Sequence, residues 1–209
     1  MIIAIDGSAA SGKGTLAKRL AKYLGLSHLD TGALYRAVGL QLLNNGQDPK
    51  NIKEDQCVKS CVELDIALTA SPLIRSEKVA EMASVVAAMP AVRAALLDLQ
   101  RQFATTPPNP RGAILDGRDI GTVVLPDADI KFFIDADIHS RAERRTKELL
   151  HAGQSVMFRT VLKDMQERDK RDTARSAAPL RAADDAIFID TSSMDCDDVM
   201  AFALSHINC

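Results

Sequence analysis

Short apolar runs alternate with longer stretches of helical period along this chain. Ile2-Ile3-Ala4-Ile5 is a mostly β-branched run of strand length, and Leu16, Ala17, Leu20 and Ala21 then take up helical spacing. Gly25 supplies a stop for that helix, and Leu26-Ser27-His28-Leu29-Asp30 is a second strand candidate. Thr31 can cap the next helix, where Leu34, Val38 and Leu42 recur until Asn44-Asn45-Gly46. Residues 51–63 are compatible with a helix, and Leu64 to Thr69 alternates as one strand would. Residues 77–104 are alanine-rich and helical with a break at Pro90, and residues 105–110 form an extended linker. Further strands are predicted around residues 113–116, 130–134 and 186–190, with helices over 138–150, 156–169 and 199–207.

Strands of this kind, separated by helices, predict a parallel sheet covered on both faces: an α/β chain with five strands at 2–6, 26–29, 113–116, 130–134 and 186–190. In such sheets ligands sit beyond the carboxyl ends of the strands. That rule gathers Asp6, Gly7 to Lys13, Asp30 to Arg36, Asp116 to Asp119, Asp135 and Asp190 at one edge.

Composition narrows the picture. At 209 residues with 46% hydrophobic content, one main domain with a small insertion is expected. A net charge of −2 gives no nucleic-acid or membrane footprint, and no apolar run reaches the roughly 18 residues of a membrane span. The chain opens on a strand pattern with no charged leader or cleavage site, so no targeting segment is expected. Cys57, Cys61, Cys196 and Cys209 lack metal-ligand spacing, and a reduced, cytoplasmic setting is expected. His28, His139, His151 and His206 are scattered and read as structural or solvated.

The loop after the first strand, Gly7-Ser8-Ala9-Ala10-Ser11-Gly12-Lys13-Gly14-Thr15, changes the picture most. Strand, G-x-x-x-x-G-K and helix in that order make a phosphate-binding P-loop. Its glycines let successive N–H groups curl around phosphate oxygens, the helix adds its positive end, and Lys13 adds a point charge. P-loops usually carry Ser or Thr directly after the Lys; here Gly14 intervenes and the hydroxyl falls on Thr15. This GKGT variant resembles that of nucleoside monophosphate kinases.

Phosphoryl transfer also needs arginines for a second phosphate, since the planar guanidinium binds phosphate oxygens in pairs. Arg36, Arg93, Arg118, Arg141, Arg145, Arg168, Arg171 and Arg175 are the candidates. Arg118 follows a strand and Gly117, while Arg168, Arg171, Asp172 and Arg175 share one face at helical spacing, as a strip closing over phosphates would. Asp116 ends a hydrophobic strand, where P-loop enzymes place a magnesium-orienting acid. Mg²⁺ is expected on Thr15, ATP oxygens and water, with Asp116 or Asp119 acting through that water.

Taken together, the chain resembles the bacterial cytidylate kinases. The resemblance rests on the P-loop, Asp30-Thr31-Gly32-Ala33-Leu34-Tyr35-Arg36, Ala83-Ser84 followed by Arg93, Asp116-Gly117-Arg118-Asp119-Ile120-Gly121-Thr122-Val123-Val124, and Arg168 to Asp172 through Arg175-Ser176-Ala177-Ala178-Pro179-Leu180. It implies a three-layer α/β/α P-loop kinase, one domain with its core at 1–60, 105–150 and 176–209. A nucleotide-binding insert at about 61–104 and a short helical lid at about 151–175 complete it. The implied reaction carries the γ-phosphoryl group of ATP to CMP or dCMP with Mg²⁺ as cofactor, in a monomer. By the same resemblance, Ser84, Arg93 and Asp119 contact cytosine, Arg168 and Asp172 the sugar, and Arg36, Arg118 and Arg175 the acceptor phosphate. Thr31 and Tyr35 also fall in the CMP site. Residues 7–15 with Arg141, Arg145 and Arg171 hold ATP, and Lys13, Arg118, Arg168 and Arg175 serve the transfer. Many members carry a β-rich insertion where residues 64–76 have room for one strand. The competing readings are a UMP or AMP kinase, and a nucleotide-binding switch; the latter needs an N-K-x-D motif, which is absent from the sequence.

Overall fold

Five strands form at the short apolar runs: β1 (Ile2–Gly7), β2 (Ser27–Asp30), β3 (Ala113–Gly117), β4 (Ile130–Asp135) and β5 (Ile187–Asp190). The computed structural model describes residues 1–175 and 178–207, so Ser176, Ala177 and Cys209 lie outside the described residues. The strands make one sheet in the order β2-β3-β1-β4-β5. β1 runs parallel to β3 and β4, and β4 parallel to β5. Ile3 and Ile5 point to one face with Ile114, Phe132, Ile134 and Ile189. There they pack against Leu16, Ala17, Leu20 and Ala21 of α1 (Lys13–Leu24) and Val199, Met200 and Ala203 of α8 (Cys196–Ser205). Ala4 and Leu115, which the period-2 pleat turns the other way, are also fully buried. The sheet is therefore covered on both faces, as its unbroken apolar strands require.

The chain separates into two compact units, Met1–Leu29 with Thr106–Cys209, and Asp30–Thr105. The second begins about thirty residues before the insert expected at 61–104. The first unit holds the sheet, α1, α8, and a helical hairpin of α6 (Ile138–His151) and α7 (Phe158–Ala174). That hairpin closes over its own small core of Ala142, Leu149, Val161 and Met165, which also takes in Ala9 of the P-loop.

The second unit is helical throughout: α2 (Thr31–Asn44), α3 (Glu54–Val62), α4 (Glu77–Val86) and α5 (Pro90–Thr105). Pro90 opens α5, the position where its missing N–H costs nothing. The strand expected over 64–69 does not form. Ile66–Ala70 is a 3₁₀ turn instead, capped by Asp65, whose carboxylate accepts from Ala67 N at 3.0 Å. A lone strand here would have lacked a ladder partner, whereas the turn satisfies its backbone locally and lays Leu64 and Leu68 on the core of Ala37, Leu40, Ile74 and Val79.

Candidate active site

The register puts the strand ends side by side. Asp6 lies opposite Gly117, Gly7 opposite Ile134, and Asp135 opposite Asp190. The P-loop springs from that edge. Gly12 adopts φ 93°, and its carbonyl accepts from Thr15 N and Leu16 N, both at 3.0 Å, to start α1. Ala10 holds the left-handed region at φ 58°, an unusual conformation for a residue with a Cβ. The loop is braced from beneath. Ser8 donates its hydroxyl to Asp135, Ser11 Oγ donates to Ser8 O at 3.0 Å, and Thr191 Oγ1 donates to Ser11 O at 2.9 Å. Lys13 Nζ reaches back to Ser8 O at 3.5 Å.

Arg141 belongs to this bracing. Its side chain is buried, and it donates to Ala136 O at 2.8 Å, Ala9 O at 3.4 Å and Asp169 Oδ2 at 2.7 Å. One guanidinium thus ties the P-loop to both helices of the hairpin. Arg144, which nothing in the sequence marks out from its neighbours on α6, supports the loop through Thr191, donating to its Oγ1 at 2.9 Å. Arg145 pairs with Glu148 at 3.3 Å, and Arg171 is exposed on α7.

Beside the loop, the segment after β3 passes through Arg118 and Asp119 into one wide π-helical turn, Ile120–Val124. Asp6 holds it there, accepting from Ile120 N at 2.8 Å and Gly121 N at 2.7 Å. In the sequence Asp6 is only a residue at a strand end. Nothing local could have shown that its carboxylate caps a turn 114 residues away. Burial pushes Asp6 up from 3.8 to about 6, against the two amides that pull it down. A carboxyl raised in the folded state contributes stability that is full below 3.8 and is lost as pH rises through about 6. The difference in unfolding free energy between the parent and Asp6→Asn should therefore shrink by about 2–3 kcal/mol from about pH 4 to about pH 7. Parallel urea-unfolding profiles for the two proteins across that range would remove this role.

Arg118, Arg168, Asp172 and Arg175 do come together. Asp172 is buried on α7; its carboxylate accepts from Arg118 Nε at 3.0 Å and from Arg175, with Arg168 Nε 3.9 Å away. Burial alone, the largest influence, would raise this carboxyl, yet the guanidiniums of Arg118, Arg175 and Arg168 together hold it below the usual range. Arg171 is on the same helix but exposed, so the strip expected from helical spacing narrows to Arg168 and Arg175 about Asp172, and Arg118 joins them from beyond β3.

Asp116 is buried on β3, with Oδ1 2.7 Å from His28 Nε2 and Oδ2 3.6 Å from where a Cβ on Gly14 would stand. Thr15 is exposed at the head of α1. These are hard oxygen donors beside a phosphate cradle, which suits a magnesium ion that brings most of its ligands as phosphate oxygens and water.

Within the second unit, Thr31 and Tyr35 are buried at the start of α2, which Asp30 caps by accepting from Ala33 N at 3.1 Å. The guanidinium of Arg93 lies over the Tyr35 ring, 5.6 Å from its centroid, and donates to Ala87 O at 3.2 Å. Arg36 is half-buried on α2. Ser84 Oγ on α4 is buried with no hydrogen-bond partner among the described residues. An orphaned hydroxyl of this kind costs about 1–3 kcal/mol, a cost that a polar ligand relieves.

Comparison with known proteins agrees with this chemistry. The family model described as cytidylate kinase matches residues 3–209. The cytidylate kinase of Paramagnetospirillum magneticum is 53% identical over 207 residues, covering 99% of this chain and 97% of that protein. That of Xanthobacter autotrophicus is 54% identical over 207 residues, with 99% and 97% covered. Among solved structures, an uncharacterized protein from Eubacterium ventriosum shares the fold, with a TM-score of 0.55 at 17% identity over 99% of this chain and 98% of that one.

Proposed function

The chain belongs to the cytidylate kinase family, and we propose how its own residues carry the transfer of ATP's γ-phosphoryl group to CMP or dCMP. An oxygen of the acceptor phosphate attacks the γ-phosphorus, the bond to the β–γ bridging oxygen breaks, and ADP leaves with CDP or dCDP as product. Little of this asks for covalent work by protein; it asks for alignment and for charge to be met as it spreads over the transferring oxygens.

Residues 7–15 cradle the ATP phosphates with backbone N–H groups, and Lys13 adds its charge to the β- and γ-phosphates. Arg145 and Arg171 join them from the hairpin, while Arg141 serves the donor through the loop it braces. Thr15 and, through water, Asp116 would hold Mg²⁺, which when bound neutralises phosphate charge. Arg36, Arg118 and Arg175 meet the acceptor phosphate, Arg168 and Asp172 its sugar, and Asp119 with Ser84 and Arg93 the cytosine. Thr31 and Tyr35 serve the same nucleotide, Tyr35 by carrying Arg93 on its ring. Lys13, Arg118, Arg168 and Arg175 are the cations that answer the transition-state charge.

The observation that carries the acceptor assignment is Ser84, whose buried hydroxyl lacks a partner among the described residues and would gain one from a cytosine edge. A site that presents such groups rejects bases unable to pair with them. A coupled phosphotransfer assay across the eight ribo- and deoxyribonucleoside monophosphates tests it. CMP and dCMP should exceed AMP and UMP in kcat/KM by about tenfold or more; AMP or UMP in the lead would overturn the assignment. No helix among the described residues is long and apolar enough by itself to cross a membrane. Cys57, Cys61 and Cys196 are free thiols. We read the protein as cytoplasmic from its free thiols, and as a monomer because the residues assigned to both substrates lie in one chain; a sedimentation measurement tests the second half.

A further inference from the structure

Asp116 and His28 stand on neighbouring strands, and their pairing has a direction. His28 is 17% exposed and Asp116 4% by side chain, with Nε2 and Oδ1 2.7 Å apart. An ionised carboxylate only accepts, so the imidazole N–H donates. The other carboxylate oxygen, Oδ2, is the one turned to the head of α1, 3.6 Å from the position of a Gly14 Cβ. The χ2 torsion of aspartate is broad and nearly two-fold, so a donor clamped on Oδ1 selects which oxygen faces the loop.

We propose that His28 is a positioning residue: by donating to Oδ1 it fixes Asp116 with Oδ2 facing the phosphate loop, where the hydration shell of an ATP-bound Mg²⁺ is received. Gly14 is part of the same device. A serine there, as most P-loops have, would carry its Cβ to within ordinary contact of Oδ2 and fill the space beside it. With Gly14 no Cβ stands on that side of the carboxylate, and His28 holds the other oxygen. His28 touches neither nucleotide; it acts through the carboxylate, as partners that orient metal-site groups do. The inference rests on the ATP-site reading above.

The test is ATP binding at equilibrium, measured by calorimetry with and without Mg²⁺, for the parent, His28→Leu and His28→Gln. Mg²⁺ should tighten ATP binding to the parent. In His28→Leu that tightening should fall at least about threefold while the metal-free ATP affinity holds, and the melting midpoint should fall because a buried acceptor loses its donor. His28→Gln, whose amide can still donate, should recover it. Full tightening in a folded His28→Leu protein overturns the proposal and leaves the ATP site intact; a parent that binds no ATP overturns both. Should His28→Leu fail to fold, ¹⁵N spectra of the unaltered protein decide. The His28 Nε2 resonance should move when Mg²⁺ joins bound ATP, and a resonance that does not respond overturns the proposal.

Discussion

Asp172→Ala should lower the stability of the folded chain by about 3–5 kcal/mol, the range for breaking a buried ion pair by removing one partner. Asp172 is 1% exposed and is the acid around which Arg118, Arg175 and Arg168 are grouped. Without it the largely buried guanidiniums of Arg118 and Arg175 and the more exposed one of Arg168 are left facing one another, and each must turn away or be solvated. For a chain of this size that corresponds to a fall in melting temperature of roughly 10 °C or more. The sign with pH follows from the lowered carboxyl: its contribution is present above the ordinary value of 3.8 and is lost as pH falls through the lower folded value. The gap between parent and variant should therefore be constant at neutral pH and close only in acid. In kinetics, the loss should fall on the acceptor. kcat/KM for CMP should drop by about a hundredfold, about 2.7 kcal/mol of transition-state stabilisation, with the KM for ATP nearly unchanged. An Asp172→Ala protein with parental melting and parental CMP kinetics would show that the arginines do not depend on it.

Gly7→Ala should abolish ATP binding. A Cβ on Gly7 would stand 2.0 Å from the carbonyl oxygen of Ile134 and 2.9 Å from its carbon. That carbonyl is main chain of β4, paired to β1 over Ile3 to Gly7, so it cannot step aside without opening the ladder at the sheet's centre. Either β1 shifts or the first residue of the P-loop leaves its place, and both displace the N–H groups that must converge on phosphate. Because near-attack geometry tolerates little displacement, a shift of about 1 Å costs about a hundredfold in rate even where binding survives. Gly12→Ala is the control: a Cβ there meets nothing within 4 Å, and only the left-handed backbone at φ 93° opposes it. Gly12→Ala should weaken ATP binding less than Gly7→Ala, and the reverse order in a titration with a fluorescent ATP analogue would contradict the steric argument.

The elements were legible to the extent that their cause is local. β1, the P-loop and α1 follow from an apolar run, two glycines and a lysine in one continuous stretch, and the break at Pro90 follows from a missing N–H. Residues 64–69 alternate as a strand would but meet no partner strand among the described residues, and Asp65 and Pro72 offer the backbone a nearer way to be satisfied. Among the arginines, spacing on α7 correctly joined Arg168, Asp172 and Arg175 but could not separate exposed Arg171 from them. Arg141, expected on ATP, is buried against Ala9 O and Asp169, and only the packing of α6 and α7 on the loop reveals that.

By itself the sequence determined the order of strands and helices, the phosphate loop, and the resemblance that names the reaction, because each is written in neighbouring residues or in runs long enough to be specific. Tertiary structure alone decided which charges meet. Asp6 reaches Ile120 and Gly121, His28 reaches Asp116, and Thr191 reaches Ser11, across 114, 88 and 180 residues of chain respectively. Those pairings arise from the register of parallel strands, whose crossovers bring distant carboxyl ends to one edge, and nothing in a local pattern encodes a register.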